Sequence, residues 1–347
     1  MATTNNDETL NPPGFEKEFE WVLDIAPLSE CVQRLKSAEL VQGATAFETN
    51  LKNIHSLLSL PGTTIGIGVR NFYWGLFYQH TFSEEDVEAI SQLASLLRGE
   101  ITPDGVSYKR MPQEKRWEKA SQLLRQHFGR EASTEEIASL ILSTFKDLAE
   151  RPKFRESIRI LFLSTTTFLW TSFECLVTDC WVAALNSGSI SFGHRALSAL
   201  PVEETTDGIS GKQIEVNLLA RYGFDIRNHL GTILSQKFKF SSLEGIRVAY
   251  ISAFQDERSI DSMLSNDILK YLESCRHLIV HRSGMVDERF SNKNPEFRQE
   301  VGKPLFINGK QVSEFGAAVV EAGVRLLNYL DGRLRIQRNK GIERDDD

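Results

Sequence analysis

Three side chains near residue 280 have the types and spacing that proton-transfer chemistry on a phosphate requires. They are Arg276, His277 and His281, within residues 267–287, which read DILKYLESCRHLIVHRSGMVD. Histidine changes charge near neutral pH and can give or take a proton. An arginine fork matches phosphate oxygens as negative charge builds on them. Helical residues advance by about 100° each, so Ile268, Leu272, Cys275 and Ile279 fall on one stripe, expected to face a core. Lys270, Ser274, His277 and His281 form a second ridge on roughly the opposite side, with Arg276 at the margin of the apolar stripe.

Plainer roles for the same residues are a pair between Arg276 and Glu273, with both histidines solvated on the surface. Packing alone, however, does not require two histidines on the face opposite the core. A metal could bridge His277 and His281, four positions apart on one helix, but no acidic or cysteine ligand stands at an obvious spacing. No metal and no cofactor are therefore expected. Glu174 and Asp179 interrupt a long apolar segment; a carboxylate there could pair with Arg276 or another cation, but their positions off the stripe favour its exposed side. Arg227-Asn228-His229 reads as a polar helix face. Gly62, Gly66 and Gly68 do not complete a dinucleotide fingerprint, and Gly211-Lys212 lacks the rest of a phosphate loop.

Arg276, the polar His277, the apolar spacer 278–280 and His281 resemble the active-site signature of the HEPN superfamily: Arg, a polar residue, a short spacer, then His. The surrounding features agree with it. The motif ends an amphipathic helix, Gly284 follows where a helix stop is expected, and a further long helix comes after a short insertion. The resemblance covers roughly the second half of the chain. It implies an endoribonuclease that needs no metal, in which the substrate's own 2′-hydroxyl attacks the phosphate. His281 would be general acid or base, Arg276 would stabilise the phosphate, and His277 would orient the site or touch the phosphate. It further implies a homodimer with a composite active site, an antitoxin or other regulatory partner, and a role as a toxin or in phage defence. Some members have lost activity, which leaves a non-catalytic RNA- or nucleotide-binding module or scaffold as the alternative.

The elements that must position these residues are helices. Proline at position 152 opens the longest, expected to run to about residue 186, with Ile158, Leu161, Phe162, Thr165, Phe168, Leu169, Phe173, Leu176, Val177, Cys180 and Trp181 on its stripe. Its uncharged part spans only residues 160–173, short for a bilayer, so a buried helix is expected and no membrane. Residues 187–211 read as a Ser- and Gly-rich loop, followed by short helices at 214–222, 226–237 and 243–254. Asn308-Gly309 between apolar runs in 304–312 predicts a β-hairpin, and a last helix is expected over 313–335.

Upstream, helices are expected within 15–40 and 46–58, the latter stopping before Pro61-Gly62, and near 83–98, 114–128 and 133–150. Periodicity leaves 63–78 undecided between strand and helix. The chain therefore reads as an all-α protein with a small β-hairpin: a disordered start (1–14), an N-terminal helical region (15–150), a HEPN-like helical bundle (151–337) and a polar tail (338–347).

With 347 residues, 41% hydrophobic and 25% charged, the composition is that of an ordinary soluble protein. A formal net charge of −7 repels polyanions globally, so any contact with RNA must come from a local cluster. Cys31, Cys175, Cys180 and Cys275 show no zinc-type spacing and are expected to be reduced, mostly buried thiols of a cytoplasmic protein. Residues 1–14 lack the pattern of a signal peptide.

Overall fold

The computed structural model describes residues 21–79, 151–187, 190–200 and 216–345. In chain order the α-helices are α1 (Ala26–Arg34), α2 (Ala38–Gln79), α3 (Pro152–Asn186), α4 (Ile190–Ala199), α5 (Val216–Arg221), α6 (Ile226–Ser235), α7 (Leu243–Phe254), α8 (Glu257–Leu264), α9 (Asp267–Arg282), α10 (Glu288–Lys293) and α11 (Gly309–Asp345). A 3-10 turn, Pro295–Glu300, lies between the last two. Among the described residues there is no strand, only an isolated antiparallel bridge between Met285 and Pro304. The architecture is all-α. Residues 1–58 and 155–347 group into one compact unit and 59–154 into another. The motif lies in the first.

At the centre of that unit is α3. One broad face of its middle is buried, including Phe162, Leu169, Phe173, Leu176, Val177 and Cys180, while Phe168, Thr171, Cys175 and Asp179 form an exposed line along the other. Trp170 and Trp181 are both fully enclosed. The Trp181 indole donates to the Ala249 carbonyl at 3.0 Å, and the Tyr250 hydroxyl donates to the Val177 carbonyl at 2.6 Å, which locks α7 along α3. On another side Gly323 of α11 lets Phe47 of α2 and Leu176 of α3 approach so closely that a Cβ there would meet the Phe47 ring at 2.6 Å. Asp331 of α11 accepts from the backbone N–H groups of Lys36 and Ser37, which ties the residues just ahead of α2 to α11. By length and composition α3 could cross a membrane, yet 56% of its most apolar window is inside the fold.

Several expectations are corrected. The β-hairpin is absent: Asn308 instead caps α11, its Oδ1 accepting from Gln311 N–H at 2.9 Å while the Gln311 side chain accepts from Asn308 N–H at 3.0 Å. This is a reciprocal capping box, and it outcompetes the turn because it satisfies two donors at once. Residues after the cap continue as helix to Asp345, beyond the expected end at 335. Part of the expected loop 187–211 is helix α4, whose Phe192 packs edge-on against Phe254 with ring centroids 4.9 Å apart. Pro61 lies inside α2, which continues to Gln79, since one proline removes a single backbone hydrogen bond. On α3, Phe168 is 48% exposed rather than part of the buried stripe. The helices expected over 83–98, 114–128 and 133–150 and the disordered start lie outside the described residues, as does residues 201–215 of the expected loop.

Candidate functional site

The motif helix α9 is capped at both ends. Asn266 accepts from Ile268 N–H at 2.9 Å at the start. At the finish Ser283 and Gly284 take left-handed conformations (φ 53° and 75°), and Gly284 N–H returns to the Leu278 carbonyl at 3.3 Å. A Cβ at Gly284 would lie 3.3 Å from Leu163 of α3. The insertion 285–304 then doubles back, with Leu305 N–H donating to the Gly284 carbonyl at 2.7 Å.

The buried stripe of α9 is Leu269, Leu272, Cys275 and Leu278. It keeps Leu272 and Cys275 of the expected stripe and faces the same way, but Leu269 and Leu278 are its flanking members, for Ile268 is 37% exposed and Ile279 is only partly covered. The buried face is thus wider than expected, and it packs on α11. Burial pushes the Cys275 thiol up to about 12, so it is packing material rather than a reactive group. All four cysteines are free, and Cys175 is exposed.

Opposite the stripe, His277 and His281 are exposed and their rings lie in contact, centroids 4.5 Å apart and planes tilted by 50°. Arg276 is partly buried beside them, and its Nη2 lies 3.7 Å from Glu174 Oε2. The acid facing Arg276 is therefore Glu174. Glu273 accepts from the Leu243 N–H instead, and burial raises its pKa above the usual carboxylate range. Glu174 is fixed in turn by the enclosed Trp170, whose indole N–H donates to the same oxygen at 3.2 Å. Of the two roles open to Glu174, the exposed side of α3 and a pair with Arg276, the less favoured one is found: its side chain is 27% exposed and faces Arg276. The Arg276 Nε is buried with no hydrogen-bond partner among the described residues.

Charge at the site is positive. Partial burial holds the His277 imidazole below its ordinary range, and His281, Arg289, Lys293 and Arg276 push it further the same way. Its neutral form therefore prevails at neutral pH, the form that can accept a proton. Arg289 and Lys293, on α10, escaped the reading of the sequence, although their i,i+4 spacing after the capping Asp287 is visible there. Among the described residues no group of three or more His, Cys, Asp or Glu is arranged to hold a metal. Arg227, Asn228 and His229 lie on α6, where the Asn228 side chain and N–H both bond Asp225 and His229 stacks on Tyr222, a local cap rather than part of the motif.

Comparison with family models, curated proteins and solved structures yields no match.

Proposed function

We propose that this protein is a metal-independent endoribonuclease of the HEPN type, working as a cytoplasmic toxin or phage-defence effector under the control of an antitoxin or other regulatory partner. The observation that carries the reading is the exposed His277–His281 pair, its rings in contact beside Arg276, on a helix whose other face is core. In this mechanism the 2′-hydroxyl of RNA attacks the adjacent phosphorus, one imidazole takes its proton, another protonates the departing 5′-oxygen, and the product end is a 2′,3′-cyclic phosphate. His281 transfers a proton and Arg276 meets the charge on the phosphate oxygens. Glu174 and Trp170 aim the guanidinium. His277 orients the phosphate or contacts it.

Two imidazoles in contact on one side of a helix cannot flank a phosphate from opposite sides. A homodimer with two motif helices meeting at a two-fold axis supplies the opposing pair, because isologous contact places each His281 across from its copy. Val280, Met285 and Phe306, each at least 40% exposed around the C-terminal end of α9, offer apolar surface for that contact.

Incubation of purified protein with single-stranded RNA in EDTA tests the chemistry: cleavage with a cyclic phosphate end is expected, and activity that vanishes with chelator and returns with a divalent ion rules it out. The Arg276–Glu174 pair favours a second reading, a non-catalytic RNA-binding module or scaffold, since it offsets part of the charge a transition state would use. In that case RNA binds and no product forms.

A further inference from the structure

We infer that Arg289 and Lys293 on α10 form a phosphate-binding arm that holds a single-stranded RNA beside the His277–His281 pair, at a phosphate neighbouring the one that reacts. The inference rests on the nuclease reading for which phosphate reacts, but the arm itself needs only RNA binding.

The arm is a rigid piece of the fold. Asp287 caps α10 by accepting from Phe290 N–H at 2.8 Å, and the enclosed Asn294 side chain donates to the Phe290 carbonyl at 2.9 Å at its other end. Phe290 is buried and meets Phe297 with ring centroids 5.3 Å apart. Tyr271 of α9 packs on both of them and on Phe315 of α11, at 6.3, 6.2 and 5.5 Å. These aromatics clamp the inner face of α10 against the motif helix. Arg289 and Lys293, one turn apart, are left on the exposed face.

Elsewhere on the unit many exposed cations lie against a carboxylate, such as Lys52 with Glu48, Lys303 with Glu300 and Arg325 with Glu321. Among the described residues neither Arg289 nor Lys293 lies in such a pair, though their charges reach His277. The carboxylate that feels Lys293 is Glu273, part-buried and already bonded to backbone. In a chain of net charge −7, like charges gathered beside a neutral-leaning histidine oppose one another until an anion arrives. A guanidinium fork and an ammonium on one helical face suit the oxygens of a phosphodiester, the kind of contact that sets the register of a strand without reading its bases. The substrate class that follows is an RNA strand of several nucleotides, in preference to a mononucleotide or dinucleotide.

The test measures binding of a fluorescent single-stranded RNA 12-mer by anisotropy over a range of salt, in the inactive His281→Ala background. Each phosphate contacted by a single strand contributes a slope of about 0.7 in log K against log salt, so Arg289→Gln with Lys293→Gln should flatten it by roughly 1.4. Arg289→Lys with Lys293→Arg should restore it, an effect that a merely structural role would not produce. An unchanged slope in the Gln variant, or no binding by the parent, overturns the arm. Cleavage is read separately in chains with His281 intact: a protein that binds RNA through the arm and yields no product keeps this inference and loses the nuclease, whereas cleavage with an unchanged slope does the reverse.

Discussion

Arg247 and Arg276 carry the same guanidinium in one helical unit, yet their surroundings are opposites. On α7, Arg247 bonds Asp261 through Nε at 2.6 Å, meets Glu257 through Nη2 and has Glu244 at 4.0 Å. These carboxylates raise its pKa, and the network ties α7 to α8. On α9, Arg276 has one carboxylate at 3.7 Å, a buried Nε without a partner, and histidines and further cations about it. An arginine ringed by three carboxylates is a fastener. One held by a single acid, with donors to spare, is placed to meet something that arrives.

The sharpest way to break this comparison is to remove groups on the two sides and read RNA cleavage. His281→Ala should lower the rate by about 10² to 10⁴ and Arg276→Ala by about 10² to 10³, the usual range for a proton-transfer group and a charge-stabilising donor. Arg247→Ala should leave the rate unchanged and lower only the melting temperature. Equal rate losses at Arg247 and Arg276 would end the distinction. His277→Asn, which keeps a polar group, should retain substantial activity where His281→Asn does not, and equal loss in both would mean the roles are misassigned.

Next in size is the contrast between the two faces of α9. Leu272→Ala should destabilise the fold by about 2–5 kcal/mol in urea unfolding, because Leu272 is fully buried. Lys270→Ala, on the exposed ridge, should change it by less than about 0.5 kcal/mol.

Glu174 sharpens the account of how Arg276 is aimed. Glu174→Ala should reduce kcat by roughly tenfold to a hundredfold through loss of orientation, with Glu174→Gln retaining more because an amide oxygen can still accept from Trp170. A gain in rate would show that the carboxylate restrains the arginine instead of placing it.

The smallest effect concerns pH. Folding favours the neutral His277 imidazole, so its NMR titration should lie below the ordinary value of about 6.5. As pH falls through the window between those values the unfolded chain takes up the proton first, and His277 then draws stability away. His281, Arg289, Lys293 and Arg276 all act on this ring, after burial itself. Lys293→Gln should therefore move the titration upward by a part of the shift. No movement would place Lys293 too far away for the arm.

Some of this was legible in residue order alone. The helical period of 267–282, the stop at Gly284 and the outward ridge of His277 and His281 follow from local rules, because stops and faces depend on neighbours within a turn or two. The same holds for α3, expected from Pro152 to about 186 and observed as Pro152–Asn186. Signals that fit two local structures were misread: Asn308-Gly309 suits a hairpin turn or a helix cap, and Gln311 three residues later decides for the cap only when its side chain is seen to reach back.

What residue order by itself determined, then, was an all-α chain and a motif helix with a polar and an apolar side, since periodicity and capping are encoded locally. Only the tertiary structure decided which residues flank Leu272 and Cys275 in the buried face of α9, Leu269 and Leu278 in place of Ile268 and Ile279, because the edges of such a face are set by the neighbours that cover it. It alone brought Glu174 and Trp170, about a hundred residues upstream, against Arg276, and set the cations of α10 beside His277. Contacts between distant segments depend on how whole helices pack, and no spacing within a single element records them.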